Sequence, residues 1–373
     1  MRLQLIATFS AVFLTVSALA DGAASLRADL LAATTKHLNA LLGPDGKVVA
    51  LKGKSSAADT AQAYFLAYEL TGEQKYRAAA VQVADGILKD MRATKFGVLY
   101  IKEKENPAGE KVAGGGPPAF GWYTATLSYI YRRERGRDAD LKYVAGVIDA
   151  FPWNEQGWWS ADIDVNTGVS KQPLSKPSPV NKNASLVLAA AVAAESIKEI
   201  DPALSARLKH KADQCLYKQI IPAQQPDGFW HYGLSGNDPG NKDVIGYFMV
   251  TMNALIQLRQ LATGYDDPAL TAAMAKASTF ARTCIAPMTE PNTGPPCARR
   301  TGSTPTRYLM PRDLKRAFAL ALVLVNNGDA DEAARILGHA MPHFPYGNPG
   351  EDGAHAAAPS AIMSRLLTRA GGP

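Results

Sequence analysis

Apolar positions recur along this chain at helical spacing in two alternating kinds of segment. Those at roughly 57 to 71, 117 to 134, 179 to 197, 241 to 262 and 311 to 326 are apolar nearly all round, as in Leu186 to Ala194 and Ala317 to Val325. A helix of that composition has to be buried on several sides. The segments at roughly 73 to 92, 138 to 150, 202 to 220, 267 to 285 and 329 to 341 mix Ala, Leu and Val with Lys, Asp, Arg and Gln, as a helix with one face in water does. Gly72, Gly136, Ile200, Gly264 and Gly328 mark the short turns that join each first segment to its second, and these markers lie 64 residues apart. That period fits a helical hairpin followed by a long connection.

The pattern predicts an all-α fold, an (α/α) toroid of six or seven hairpins with apolar helices inside and amphipathic helices outside. Residues 357 to 370 would supply a sixth inner helix and residues 24 to 43 its outer partner. Short β-like pieces, Gly97 to Ile101 and Phe229 to Tyr232, are expected as hairpins at the rim of a cleft. The long connections 93 to 116, 152 to 178, 221 to 240 and 286 to 310 all run from an outer helix to the next inner one. In a ring they gather on one face, which is where a binding cleft belongs.

The N-terminus changes the picture of where this domain works. Arg2, the apolar run from Leu3 to Val16 and Ala18-Leu19-Ala20 before Asp21 read as a secretory signal over residues 1 to 20. A single catalytic domain over 21 to 373 is then expected to be secreted or periplasmic, with no membrane attachment after cleavage. Lys and Arg total 40 against 34 Asp and Glu, a net charge of +6. The distribution matters more than the sum, because Arg299, Arg300, Arg307, Arg312, Lys315 and Arg316 face only Asp313 in their stretch. In an exported protein such a basic patch points to an anionic polysaccharide and away from nucleic acid. Of the three cysteines, Cys284 and Cys297 flank a Pro/Gly-rich loop and are expected to pair, stabilising by about 3 kcal/mol on the chain-entropy account. Cys215, in an apolar helical pattern, is expected as a buried free thiol. No metal-ligand spacing is present and no cofactor is expected.

Candidate chemistry falls on four of the connections. Gly114, Gly115 and Gly116 precede Phe120, Trp122 and Tyr123, and a glycine run of that kind suits a mobile lid. The second connection carries Trp153, Trp158 and Trp159 and leads into KPSPVNKNAS, with Ser178 as expected N-cap and Pro179 as first helical residue. Asn181 and Asn183 then point about 200° apart on the helix, so only one can face a cavity. Asn183 shares a stripe with Val187 and Ala190, and an amide so deep in an apolar helix needs a partner, either backbone or a substrate carboxylate.

The third connection, QPDGFWHYG, turns at Asp227-Gly228. Strand alternation would set Trp230 and Tyr232 on one face and His231 on the other. His231 is the strongest histidine candidate, whereas His37 and His210 lie on outer helices and are expected at the surface. In the fourth, Tyr308 follows Arg307 directly, with Arg300 nearby, and cations of that density favour phenolate over phenol. An amide, a histidine, arginines and a tyrosine around a basic cleft suit β-elimination on a uronate polymer. There the amide and cations would stabilise the enediolate-like anion while a base takes the C5 proton and an acid protonates the departing O4.

With VNKNAS opening an inner helix, PDGFWHYG on a rim loop and RYLM before another inner helix, the chain resembles the (α/α)-toroid polysaccharide lyases that cleave alginate or glucuronan, most nearly polysaccharide lyase family 38. The resemblance implies that Asn183 neutralises the substrate carboxylate and that His231 and Tyr308 act as base and acid. Arg300 or Arg307 would support the carboxylate or the phenolate. Asn181, Trp230 and Tyr247 are expected to bind substrate, Trp230 as a sugar platform. Two other classes stay open. A glycoside hydrolase would draw a carboxylate pair from Asp59, Asp227, Asp238 and Asp243. A glycan-binding protein without catalysis would use Trp153, Trp158, Trp159 and Trp230 as stacking surfaces.

Overall fold

The computed structural model describes residues 28–49, 54–98, 102–105, 111–115, 117–160, 162–164, 167–171, 173–176, 178–233, 245–283, 296–297, 306–307, 314–326 and 328–340. A first helix, α1, covers residues 28–40. Five hairpins follow: α2 (Lys54–Thr71) with α3 (Gln74–Arg92), α4 (Pro117–Tyr131) with α5 (Asp138–Ala150), α6 (Val180–Ile197) with α7 (Pro202–Cys215), α8 (Ile245–Leu261) with α9 (Pro268–Thr283), and α10 (Leu314–Asn326) with α11 (Ala330–Ala340). The expected outer helix over 202 to 220 is α7 continued by a π-helical turn at Leu216–Ile220. The signal segment and the sixth inner helix expected at 357 to 370 lie outside the described residues. Helix α1 packs where a sixth outer helix should, since Tyr64 of α2 donates its hydroxyl to the Leu38 carbonyl and Tyr76 of α3 to Asn39.

Each inner helix packs on the next, α2 on α4, α4 on α6, α6 on α8 and α8 on α10, while each outer helix covers its own partner. This is the (α/α) toroid expected from the pattern. The short turns explain the regular spacing. Gly72, Gly136, Gly264 and Gly328 have φ between 73° and 84°, the left-handed conformation that ends a helix and that glycine adopts without strain. At the third turn, the one without a glycine, Asp201 accepts from the Leu204 N–H and Pro202 begins the next helix, so a cap replaces the glycine.

Between α4 and α6 the backbones nearly touch. A Cβ on Gly121 would lie 2.4 Å from the Ser185 carbonyl oxygen, so only glycine fits. In the ring interior, Gln62 of α2 donates to Gln257 of α8 at 3.0 Å, both side chains being buried. Helices α2 and α8 are not successive members of the ring. This amide bridge therefore spans the ring's interior.

Among the described residues seven short strands sit on the connections. β1 (Lys102–Glu105), β2 (Lys111–Gly115) and β5 (Ile163–Asp164) form one antiparallel sheet, β3 (Trp153–Asn154) pairs with β4 (Trp158–Trp159), and β6 (Pro296–Cys297) with β7 (Thr306–Arg307). The glycine run expected as a loose lid is corrected in part, because Gly114 and Gly115 are strand residues opposite Asp164 and Ile163. Gly116 is not described. Cys284 is also outside the described residues, and so is the expected disulfide. Cys215 is a buried free thiol, its pKa raised by burial. No described helix is long and apolar enough to cross a membrane.

His37 corrects another expectation. Its place on an amphipathic outer helix suggested the surface, yet it is buried at 1% exposure, and burial lowers its pKa from 6.5 to about 4. A native-state pKa below the unfolded value means that the unfolded chain takes up the proton first as pH falls. Stability from this group is complete above pH 6.5 and is lost on the way down to about pH 4, by about 3 kcal/mol at most. His37→Gln is expected to flatten that part of the pH–stability curve measured by urea unfolding, and an equally steep curve in the variant would refute the assignment. Gly121→Ala is expected to destabilise by about 1–3 kcal/mol, because the α4–α6 backbones must separate. An unshifted urea midpoint for that variant would show that they are not in contact.

Candidate functional site

The N-terminus of α6 faces the open end of the ring and has little compensation of its own. Its N-cap is Pro179, which offers no side-chain cap, and its first turn carries no acidic residue. Ser178, expected as the cap, instead accepts from the Asn183 amide. The rim loop from the third connection supplies what the helix lacks. Val180 donates its N–H to the Tyr232 carbonyl at 2.9 Å, and Pro179 bridges to Gly233.

That loop is rigid for reasons visible in its residues. The turn closes with Gly228 N–H to the Gln225 carbonyl and Gln225 N–H to the Phe229 carbonyl, and Asp227 accepts from the Phe229 N–H. Gly228 has φ 93°, and a Cβ there would stand 2.1 Å from the Lys276 carbonyl oxygen of α9. Phe229 stacks on Phe248 and packs on Phe280, while Trp230 donates its indole N–H to the Ile220 carbonyl at 2.8 Å. Two buried aromatics thus anchor the loop and leave the next two residues half-buried at the open end. These are His231, whose ring stands edge-on to Phe229, and Tyr232, whose ring lies 4.6 Å from that of Tyr247. Tyr247 belongs to the first turn of α8 and is 36% exposed.

Several expected roles are corrected by this packing. Asn183 is fully buried and its amide is fully engaged. Its Oδ1 accepts from the Trp159 N–H at 2.9 Å and is approached by the Cys215 thiol, and its Nδ2 donates to Ser178 Oγ and the Pro179 carbonyl. No donor or acceptor is left for a substrate carboxylate. Asn181, on the other side of the helix, is 5% exposed, and its Oδ1 is buried without a hydrogen-bond partner. A lone buried acceptor costs about 1–3 kcal/mol unless water or a ligand meets it.

Trp230 is no sugar platform, being 2% exposed and bonded into the core. Trp158 and Trp159 are buried too, with the Trp158 indole bound to the Leu174 carbonyl, so the stacking surface imagined from the tryptophans is reduced to the half-buried Trp153. The expected alternation along 229 to 232 fails because this piece pairs only through isolated bridges, at Trp230 and Gly233, rather than as a strand.

The Val180–Tyr232 hydrogen bond joins the segment that carries Asn181 to the segment that carries His231, and the Tyr232 ring leans on that of Tyr247. In the sequence Tyr232 is expected only to share a face with Trp230. Its backbone carbonyl is what joins the loop to α6, and no side-chain pattern announces that. Arg307 lies in β7 opposite Pro296, and its side chain is not described. Arg300 and Tyr308 lie outside the described residues, as do Asp238 and Asp243. Of the remaining carboxylates proposed for hydrolysis, Asp227 is an exposed turn residue whose Oδ1 holds the Phe229 N–H. Among the described residues no cluster of His, Cys, Asp and Glu could hold a metal ion.

Comparison with known proteins defines the class of fold. No family model matches the chain, and no curated protein matches it either. Solved structures do. A sugar epimerase from a ruminal bacterium aligns with TM-score 0.59 at 13% identity, covering 92% of this chain and 98% of that one. A polysaccharide lyase aligns with TM-score 0.53 at 13% identity, covering 92% and 97%, and a family 88 glycosyl hydrolase from Bacteroides vulgatus with 0.52 at 12%, covering 92% and 99%. The likeness over nearly the whole chain is to (α/α) toroids, and at these identities it is a likeness of fold.

The two asparagines can be told apart by stability. Asn183→Ala is expected to cost about 3 kcal/mol, since it strands the Trp159 N–H and empties a buried site, whereas Asn181→Ala should stay within about 1 kcal/mol of the parent. Urea unfolding of both variants checks this, and equal losses would contradict the division of roles.

Proposed function

We propose that this protein is an exported polysaccharide lyase that cleaves a uronate-containing polysaccharide, of the alginate or glucuronan type, by β-elimination. The observation that carries the proposal is Asn181, a buried side chain whose Oδ1 has no hydrogen-bond partner, in the first turn of α6, which has no side-chain cap and is tied through Val180 to the loop that carries His231. A helix N-terminus and an amide together suit a carboxylate. In this reading Asn181, rather than Asn183, donates through Nδ2 to the C5 carboxylate while its Oδ1 accepts from a sugar hydroxyl, and an arginine from the basic run, Arg300 or Arg307, completes the neutralisation. His231 and Tyr308 serve as base and acid. The base takes the C5 proton, the electron pair passes through the enediolate into the C4–C5 double bond, and the C4–O4 bond breaks as the acid protonates O4. The products are an unsaturated uronate and a new chain end, with no water consumed. The tyrosine and the arginines enter from their sequence positions alone.

The fold supports a carbohydrate substrate, since the similar toroids named above act on sugars. The hydrolase alternative loses Asp227 to its turn and keeps, among the described residues, Asp59, half-buried on α2.

The test is a screen on glucuronan, polymannuronate, polyguluronate and hyaluronan, read by the ultraviolet absorbance of the unsaturated product. Asn181→Ala is expected to lower kcat by about 10²–10³-fold, the loss typical of one donor to a developing oxyanion. Tyr308→Phe is expected to abolish turnover while polymer binding persists. New reducing ends without that absorbance would mean hydrolysis, and binding without cleavage would mean a glycan-binding protein.

A further inference from the structure

Tyr247 stands out once the tryptophans have been assigned to the core. Among the described residues the large apolar side chains left exposed are Val169 and Tyr247, and Tyr247 alone of the two sits at the N-terminal end of an inner helix. Its position is fixed from two directions. Its carbonyl accepts from Thr251 one helical turn on, and its ring leans on Tyr232 with centroids 4.6 Å apart and planes at 45°. Tyr232 in turn holds the Val180 N–H, one residue before Asn181. The pair therefore links the open ends of α6 and α8 through the Tyr232 carbonyl and ring, and leaves the Tyr247 ring partly exposed to solvent on the loop side of the α6 N-terminus.

A tyrosine held in this way has little side-chain entropy left to lose when a ligand covers it, and its face suits the C–H surface of a saturated ring. We propose that Tyr232 and Tyr247 form a stacking subsite for a pyranose unit adjoining the one whose carboxylate meets Asn181, with Tyr247 supplying the face and Tyr232 the support. This rests on the function proposed above for its placement along the substrate, but not for its chemistry. Recognition here is by the sugar ring and not by charge.

Kinetics on the cleaved uronan and calorimetric binding of its unsaturated and saturated oligosaccharides, at low and high salt, test the subsite. Tyr247→Ala is expected to raise KM and Kd about tenfold, in a ratio that salt does not change, with kcat falling less than threefold. Tyr247→Phe, which keeps the ring, should recover most of that loss, and Val169→Ser, a change at the other exposed apolar side chain, should behave as the parent. If Tyr247→Ala cleaves with the parent's KM, the subsite is refuted and the lyase reading stands. If the parent cleaves no uronan but binds oligosaccharides that Tyr247→Ala no longer holds, the lyase reading is refuted and the subsite stands. A parent that binds none of these sugars overturns both.

Discussion

Helix α6 is buried along nearly its whole length, and every part of the ring answers to that burial. A helix with Val, Leu and Ala on all sides needs neighbours on all sides, and it finds them in α4, α5, α7 and α8. The contact with α4 is so close that Gly121 replaces a side chain with backbone against Ser185. The first amide groups of such a helix have no partner within it, and at α6 a rim connection supplies one. The loop carrying His231 is drawn to the α6 terminus by the Val180–Tyr232 hydrogen bond, and the strand carrying Trp159 is drawn there by Asn183. Burial of an apolar helix and assembly of a polar site are here two results of one constraint.

The opposite end of the ring is closed by a different chemistry. Glu69 at the end of α2 meets Tyr129 and Arg133 at the end of α4. Arg132 meets Glu195 of α6, and Glu195 in turn accepts from the Thr263 N–H beyond α8. Asp213 with Tyr265 and Asp329 with Arg282 continue the series between later hairpins. Half-exposed ion pairs of this kind contribute at most about 1 kcal/mol each, so their role is more one of register than of strength. The tyrosines strengthen that reading. Burial first, and the adjoining carboxylates second, push the pKa of Tyr129, Tyr131 and Tyr265 far above the ordinary tyrosine value, so they remain hydrogen-bond donors wherever the fold survives. Short glycine turns and fixed donors hold this end, which leaves the long connections at the other end as the place where sequence can vary the surface.

The fold was legible because it is written in a repeat. The five short turns recur at one spacing, four of them at a glycine that needs positive φ, and the helices fall within a few residues of the segments predicted from apolar periodicity. What periodicity could not supply was the destination of side chains in the connections. Trp158, Trp159 and Trp230 look the same in sequence whether they face a sugar or the core. Their burial depends on carbonyl and packing partners such as Ile220 and Leu174, many residues away or on other elements. His37 was misplaced for the same reason, because the outer face of an amphipathic helix is only outer if nothing packs over it.

The two asparagines show how far helix geometry alone can carry an assignment. That Asn181 and Asn183 must point apart follows from the helical repeat, and the structure keeps them apart. Choosing between them required knowing which side of α6 faces the cleft, and the stripe through Val187 and Ala190 suggested the Asn183 side. That inference assumed that a helix with one polar residue in its first turns aims it at a cavity. In α6 both Val187 and Ala190 are fully buried against protein, so the stripe marks a packed interface, and an amide on it is satisfied there by backbone, a serine hydroxyl and a thiol. Of the two, Asn181 keeps an acceptor, its Oδ1, without a hydrogen-bond partner, and it follows Val180, the residue that Tyr232 holds. A buried amide with every bond made is accounted for by the architecture, so Asn183 belongs to the packing of α6, and capacity for a further bond lies with Asn181.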